Sequence, residues 1–245
     1  MNPAKSKNPK DHLIIALDGS VDEALQWAGE LQGHANWIKV GMTLFYQTGP
    51  SIIKEMKDLG YKVFLDLKLH DIPNQVENAS AVLAGLGVDL ITVHASGGRA
   101  MMASAMLGAR TGAEENALPV PKVIAVTVLT SMTNDTLQTI GVSDTAANQV
   151  ERLIRLSREA GTDGIVCSPH EAAMARSILG SGALVVTPGV RPTGAATGDQ
   201  SRIMTPKKAF TAGASHLVIG RPITRATDRI QAIEAIIKEV EGVHP

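Results

Sequence analysis

The sequence predicts a single-domain (β/α)8 barrel of the TIM type, and three observations lead there. Eight short runs rich in β-branched residues recur along the chain, with helical patterns between them. The chain has 245 residues, close to the roughly 250 that eight β/α units use as one barrel. No stretch is long or biased enough to serve as a linker, and the only internal repeat is the strand–helix alternation itself.

The first strand is expected over His12 to Asp18. After it, Ser20-Val21-Asp22-Glu23 has the pattern of a capping box, with Ser20 at the N-cap and Glu23 at the third helical position, opening an amphipathic helix. Trp37 to Met42 gives the second strand and Tyr61 to Lys68 the third. Side chains alternate along a strand, so Phe64, Asp66 and Lys68 share one face, while Val63, Leu65 and Leu67 take the other. Pro73 suits the first turn of the next helix, where its missing N–H costs nothing. The remaining strands are Asp89 to His94, Lys122 to Leu129, Gly164 to Ser168, Ala183 to Thr187 and His216 to Gly220. Met101, Met102 and Met106 fit helix packing, and Cys167 fits the core. Strands alternating with helices imply parallel pairing with right-handed crossovers, and eight of them favour closure; a doubly wound open sheet is the alternative. Residues 1–10 are expected to form a flexible tail ahead of a barrel over 11–245, and Pro192 to Gly198 to form a mobile loop.

Composition narrows the function. Lys and Arg (23) nearly balance Asp and Glu (24), so no long-range field favours nucleic acid or an anionic membrane, and a small, locally recognised ligand is expected. Cys167 is the only cysteine, which excludes an intrachain disulfide and fits a reducing, cytoplasmic setting. No apolar run approaches about 18 residues, and the polar N-terminus lacks the apolar segment of a signal peptide.

Barrel chemistry gathers at the C-terminal ends of the strands, and the polar residues there are dense. They are Asp18, Lys39, Asp66, Lys68, Asp71, His94, Thr130, Ser131, Ser168, Arg191 and Arg221. Asp66, Lys68 and Asp71 crowd two carboxylates and an ammonium into six residues. A structural ion-pair network is the plain reading, yet desolvation largely cancels the Coulomb attraction of buried pairs, so stability is a poor reason to keep them. With Lys39 on the neighbouring strand, charges of opposite sign alternate and each keeps its neighbours ionised. Pro188-Gly189-Val190-Arg191 after strand seven and Gly220-Arg221 after strand eight have the character of phosphate-binding loops. His70, His94 and His216 lack metal-ligand spacing, and His94 reads as a hydrogen-bonded barrel histidine.

The run Phe64-Leu65-Asp66-Leu67-Lys68-Leu69-His70-Asp71-Ile72-Pro73-Asn74 resembles the signature of the orotidine 5'-phosphate decarboxylase family. Further similar segments are Ala16-Leu17-Asp18, Ile38-Lys39-Val40-Gly41, Val93-His94-Ala95-Ser96-Gly97-Gly98, Val126-Thr127-Val128-Leu129-Thr130-Ser131, Pro188-Gly189-Val190-Arg191-Pro192, Gly198-Asp199-Gln200 and Ile219-Gly220-Arg221-Pro222-Ile223. The resemblance spans about residues 12 to 240 and implies a barrel without cofactor or metal that works as a homodimer on orotidine 5'-phosphate, releasing UMP. It implies an array of Lys39, Asp66, Lys68 and Asp71, with Lys68 protonating C6 and Asp71 reaching into the partner subunit's site. By the same resemblance Asp18, Lys39 and the partner's Asp71 hold ribose hydroxyls, Thr130 and Ser131 meet the pyrimidine, Arg191, Gln200, Gly220 and Arg221 grip the phosphate, and Pro188 also binds the substrate. Arg191 to Arg202 would form a lid. Gln75 stands where related chains often carry a small residue such as Thr.

Two other functions are compatible with parts of this pattern. A magnesium-dependent 3-keto-gulonate-phosphate decarboxylase or related aldolase shares the Asp-x-Lys-x-x-Asp pattern, but such enzymes carry an acidic residue on strand two. Lys39 stands there and would repel the metal. A catalytically silent nucleotide-phosphate-binding barrel is the other, and the complete charge array argues against it.

Overall fold

The computed structural model describes residues 8–192 and 204–243. Eight parallel strands, β1 (Leu13–Ala16), β2 (Trp37–Gly41), β3 (Lys62–Leu69), β4 (Leu90–His94), β5 (Lys122–Val126), β6 (Gly164–Val166), β7 (Leu184–Thr187) and β8 (His216–Ile219), pair in chain order. Pairing of β1 with β8, Ile14 opposite Val218, closes the sheet and excludes the open doubly wound alternative. The strands stop short of several sequence-predicted ends. Strand β5, for example, ends at Val126, just before Thr127, whose N–H and hydroxyl both donate to the Val166 carbonyl of β6.

Helices follow the strands: α1 (Val21–Glu30), α2 (Met42–Thr48), α3 (Ser51–Asp58), α4 (Pro73–Ala84), α5 (Gly98–Glu115), α6 (Asn134–Thr139), α7 (Ala146–Ala160), α8 (Ala172–Leu179), α9 (Pro206–Thr211), α10 (Arg221–Thr224) and α11 (Arg229–Val240). The expected capping box opens α1: Ser20 Oγ accepts the Glu23 N–H at 3.3 Å, and Glu23 Oε2 accepts the Ser20 N–H at 2.9 Å. Pro73 occupies the first turn of α4 as expected. Among the described residues no helix is long and apolar enough to cross a membrane.

Strand alternation divides the apolar residues into two cores. Ile14, Ala16, Trp37, Phe64, Leu90, Ile124, Leu184, Val186 and Val218 fill the barrel, while Ile15, Ile38, Val63, Leu65, Ile91 and their neighbours pack outward against the helices. Helix α5 lies very close to α4 because Gly108 and Gly112 face it. A Cβ on either would sit 2.0 Å from a carbonyl oxygen of α4, that of Glu77 or Ala81. Met101 and Met102 are fully buried in the outer core, and Met106 packs against it.

The N-terminal end of the barrel is plugged by rings. His216 lies 5.4 Å from His12 and 5.8 Å from Trp37 between ring centroids, and Lys62 Nζ stands 5.4 Å from the Trp37 ring. Just before β1, Pro9–Asp11 form a 3-10 turn capped by the Asn8 side chain, and Lys10 Nζ donates to the Gly33 carbonyl at 2.7 Å. The expected flexible tail is therefore anchored from Asn8 onward. Residues 1–7, and residues 193–198 of the expected mobile loop, lie outside the described residues.

Candidate active site

The inward rows of β2 and β3 build the centre. Trp37 points into the barrel, so Lys39, two residues on, does too, and it pairs in register with Phe64. Lys39 Nζ lies 3.1 Å from Asp18 Oδ1 and 3.7 Å from Asp66 Oδ2. On the other side of Asp66, Lys68 Nζ donates to Oδ2 at 2.8 Å. Gly41 leaves room for this packing: a Cβ there would come within 3.1 Å of Lys39 Nζ.

Asp66 is the most constrained of these groups. Burial pushes its pKa up, but the ammonium groups of Lys39 and Lys68, with hydrogen bonds from Lys68 and Thr92, outweigh burial and hold it below the usual carboxylate range. The carboxylate therefore stays charged at neutral pH in a poorly solvated place.

A break in the sheet sets the position of Lys68. Leu65 pairs with Ile91 and Leu69 with Val93, so Asp66, Leu67 and Lys68 stand opposite the single residue Thr92. This bulge puts Lys68 at φ +54°, the left-handed region that non-glycine residues rarely occupy. The fully buried Thr92 hydroxyl accepts the Lys68 backbone N–H at 2.9 Å and donates to Asp66 Oδ1 at 3.0 Å. Thr92 was absent from the sequence-predicted site. Its signal was there, since two-residue alternation from Leu90 turns it inward, but a lone Thr in an apolar run has no distinguishing pattern.

Two cavities meet at this array. One, of about 190 Å3, has a charged wall of Lys39, Asp66 and Lys68 and an apolar wall including Val126, Val128, Val166, Pro188 and Val218, with Thr130 at its edge. Cys167, buried as expected of a core residue, also lines it. The other, of about 310 Å3, shares the three charged residues and extends past Asp18, Gly41, Met42 and Thr43. An apolar slot and a more polar chamber thus share one wall of fixed charge.

The remaining sequence-predicted residues are dispersed. Asp71 is exposed in the loop after β3, its carboxylate accepting the Ile72 N–H at 2.6 Å, and among the described residues it joins no ion pair. Ser131 is exposed and lines neither cavity. Arg191 is nearly buried, with Nη1 donating to the Val190 carbonyl at 3.1 Å and its backbone N–H to Met204 at 3.0 Å. Gly220 caps α10, which begins with the exposed Arg221. Gln200, with residues 193–202 of the expected lid, lies outside the described residues. His94 stands 5.3 Å from His70, and burial, with the nearby His70 and Lys68, lowers its pKa and favours the neutral ring. Among the described residues no group of three or more His, Cys, Asp or Glu side chains could hold a metal ion.

Residues 11–236 match the profile of the orotidine 5'-phosphate decarboxylase / HUMPS family. The chain belongs to that family. An orotidine 5'-phosphate decarboxylase from Cutibacterium acnes is 47% identical over 225 residues, which cover 91% of this chain and 93% of that one. One from Synechococcus sp. (strain WH7803) is 45% identical over 244 residues, 99% of this chain and 100% of the relative. Among solved structures, the orotidine 5'-phosphate decarboxylase of Lactobacillus acidophilus superposes with a TM-score of 0.82 at 41% identity, covering 93% of this chain and 98% of that one. The family and the closed barrel agree with the resemblance first seen in the β3 motif.

Proposed function

We propose that this protein converts orotidine 5'-phosphate to UMP and carbon dioxide in pyrimidine biosynthesis, without cofactor or metal. The observation that carries the reading is Asp66, held charged between two ammonium groups on the wall shared by an apolar slot and a polar chamber. The slot suits a pyrimidine and the chamber a ribose.

In this reading the bond from C6 to the carboxyl carbon breaks, and its electron pair stays on C6. No ring π-system lies in the plane of that pair, so charges outside the ring must stabilise it. Lys68 does so and then delivers a proton from Nζ to C6, leaving UMP and a neutral amine that solvent reprotonates. At an effective dielectric of about 20, one ammonium roughly 4 Å from a developing charge is worth about 4 kcal/mol. Enzymes lower barriers by as much as about 23 kcal/mol, so Lys68 cannot act alone. Preorganisation of the whole array supplies more, because charges already in place need no reorganisation at the moment of reaction. Asp66 contributes by standing beside the substrate carboxylate. Its hydrogen bonds to Lys68 and Thr92 keep it from swinging away, and repulsion falls as neutral carbon dioxide departs.

Asp18 and Lys39 hold ribose hydroxyls, Thr130 and Pro188 of the apolar slot meet the base with Ser131, and Arg191, Gln200, Gly220 and Arg221 take the phosphate. Binding energy from that remote phosphate is used to close the site around the reacting carbon. Asp71, exposed and turned to its own backbone, completes the array of the other subunit in a cytoplasmic homodimer. Lys39, 3.1 and 3.7 Å from the Asp18 and Asp66 carboxylates, fills the place a divalent ion would need and supports the metal-free chemistry.

The test is direct. Purified protein in buffer with EDTA and no added metal should convert orotidine 5'-phosphate to UMP, followed by the loss of substrate absorbance. Activity abolished by EDTA and restored by magnesium would instead favour sugar-phosphate lyase chemistry. UMP binding with no turnover would favour a silent barrel.

A further inference from the structure

We infer that Thr92 is a positioning residue for the decarboxylation, its hydroxyl holding both Lys68 and Asp66 in their working geometry. The inference rests on the functional reading above and goes beyond it, since Thr92 belongs to no motif that suggested that reading. Three observations converge. The bulge sets three residues of β3 against one of β4, which interrupts the backbone ladder where the two charged residues lie. The Thr92 hydroxyl takes the place of the missing ladder acceptor by receiving the Lys68 N–H at 2.9 Å. Its own hydrogen goes to Asp66 Oδ1 at 3.0 Å, which leaves Oδ2 to face Lys68 Nζ at 2.8 Å and Lys39 Nζ at 3.7 Å.

A hydroxyl carries one hydrogen and also accepts, so a single oxygen serves both partners with no group left over. The left-handed backbone of Lys68, φ +54°, is a costly conformation that persists only where surrounding contacts over-determine it. Thr92 supplies one such contact, and the same atom fixes the neighbouring carboxylate. Asp66 and Lys68 are thus oriented as a unit. Because Thr92 is fully buried, water cannot readily substitute for its hydroxyl.

The experiment compares Thr92→Val, which keeps the shape and removes the hydroxyl, with Thr92→Ser, which keeps the hydroxyl and removes the methyl. For Thr92→Val we expect kcat to fall on the order of 10- to 100-fold, from the loss of a hydrogen bond to a charged group in the reacting array. KM and the affinity for UMP should change less than about threefold, since the lost contact acts on the chemical step. The acid limb of the kcat/KM profile should move to higher pH, because the Asp66 carboxylate loses a donor that favours its charged form. Thr92→Ser should restore kcat to within about threefold of wild type. Where Thr92→Val does not fold, Thr92→Cys, with a similar volume and a weaker donor, takes its place.

Thr92→Val with kcat near wild type and an unmoved acid limb would overturn the inference. So would a folded Thr92→Ser as impaired as Thr92→Val, because methyl packing would then be what matters. In either case an active wild type leaves the decarboxylase reading standing. A wild type that makes no UMP sinks that reading and the inference resting on it.

Discussion

His216 makes the protein acid-sensitive at the end of the barrel opposite the charged array. Its Nδ1 lies 3.0 Å from Ser215 Oγ, while Nε2 is buried without a hydrogen-bond partner among the described residues. Burial pushes its pKa down to about 3, reinforced by His12 and Lys62, with Asp11 acting weakly in the other direction. In the unfolded chain the imidazole titrates near 6.5. The native state therefore favours the neutral ring, so this contribution to stability is intact above about pH 6.5 and shrinks as pH falls toward 3. Each pH unit below 6.5 removes about 1.4 kcal/mol, so a step from pH 7.5 to 5.0 costs about 2 kcal/mol. That is a large share of a net stability of about 5–15 kcal/mol. Urea unfolding of wild type and His216→Asn, followed by tryptophan fluorescence at one protein concentration, isolates the effect, because the other titrating groups are common to both. Wild type should lose about 2 kcal/mol more than the variant between the two pH values. Equal losses, or a native His216 resonance titrating near 6.5, would refute the assignment.

Two further outcomes are expected, the first from the proposed shared site and the second from helix packing. On the proposed shared-site homodimer, the Lys68→Ala and Asp71→Ala proteins should each be nearly inactive, yet mixing them with subunit exchange should restore up to about one intact site in each mixed dimer, read as UMP formation; no recovery despite proven exchange would show that Asp71 does not act across an interface. Gly108→Ala should lower stability by about 1–3 kcal/mol in thermal or urea unfolding, since its Cβ would meet the Glu77 carbonyl oxygen at 2.0 Å and force α4 and α5 apart; unchanged unfolding would contradict that close packing.

The parts of the site legible in the sequence were those that obey strand periodicity. Phe64, Asp66 and Lys68 were placed on one face because two-residue alternation depends little on context, and Phe64 does lie in the inner core with Leu65 in the outer one. A straight-strand reading assigned Lys68 to the correct face but implied an ordinary extended backbone. The φ of +54° and the bulge depend on how β4 pairs with β3, which no local pattern encodes. Thr92 escaped notice for the same reason, as its role exists only where the ladder is interrupted. The ring cluster at the barrel foot was hidden differently: His12, Trp37 and His216 are scattered along the chain and meet only when β1 closes on β8. Asp71 stood out as a charge near Lys68, but sequence proximity does not turn a loop side chain toward its neighbours.

The bulge in β3 also limits how far this chemistry can be transplanted. On a regular strand, residues two apart share one face with an extended backbone between them, yet here the ammonium of Lys68 meets the Asp66 carboxylate at 2.8 Å from a left-handed backbone. Grafting Asp-x-Lys onto an unbroken strand of another barrel would reproduce the residues without that backbone path. The heritable unit is larger: two adjacent strands of unequal length, with a buried hydroxyl on the shorter one. A designer would have to copy the mismatch along with the charges.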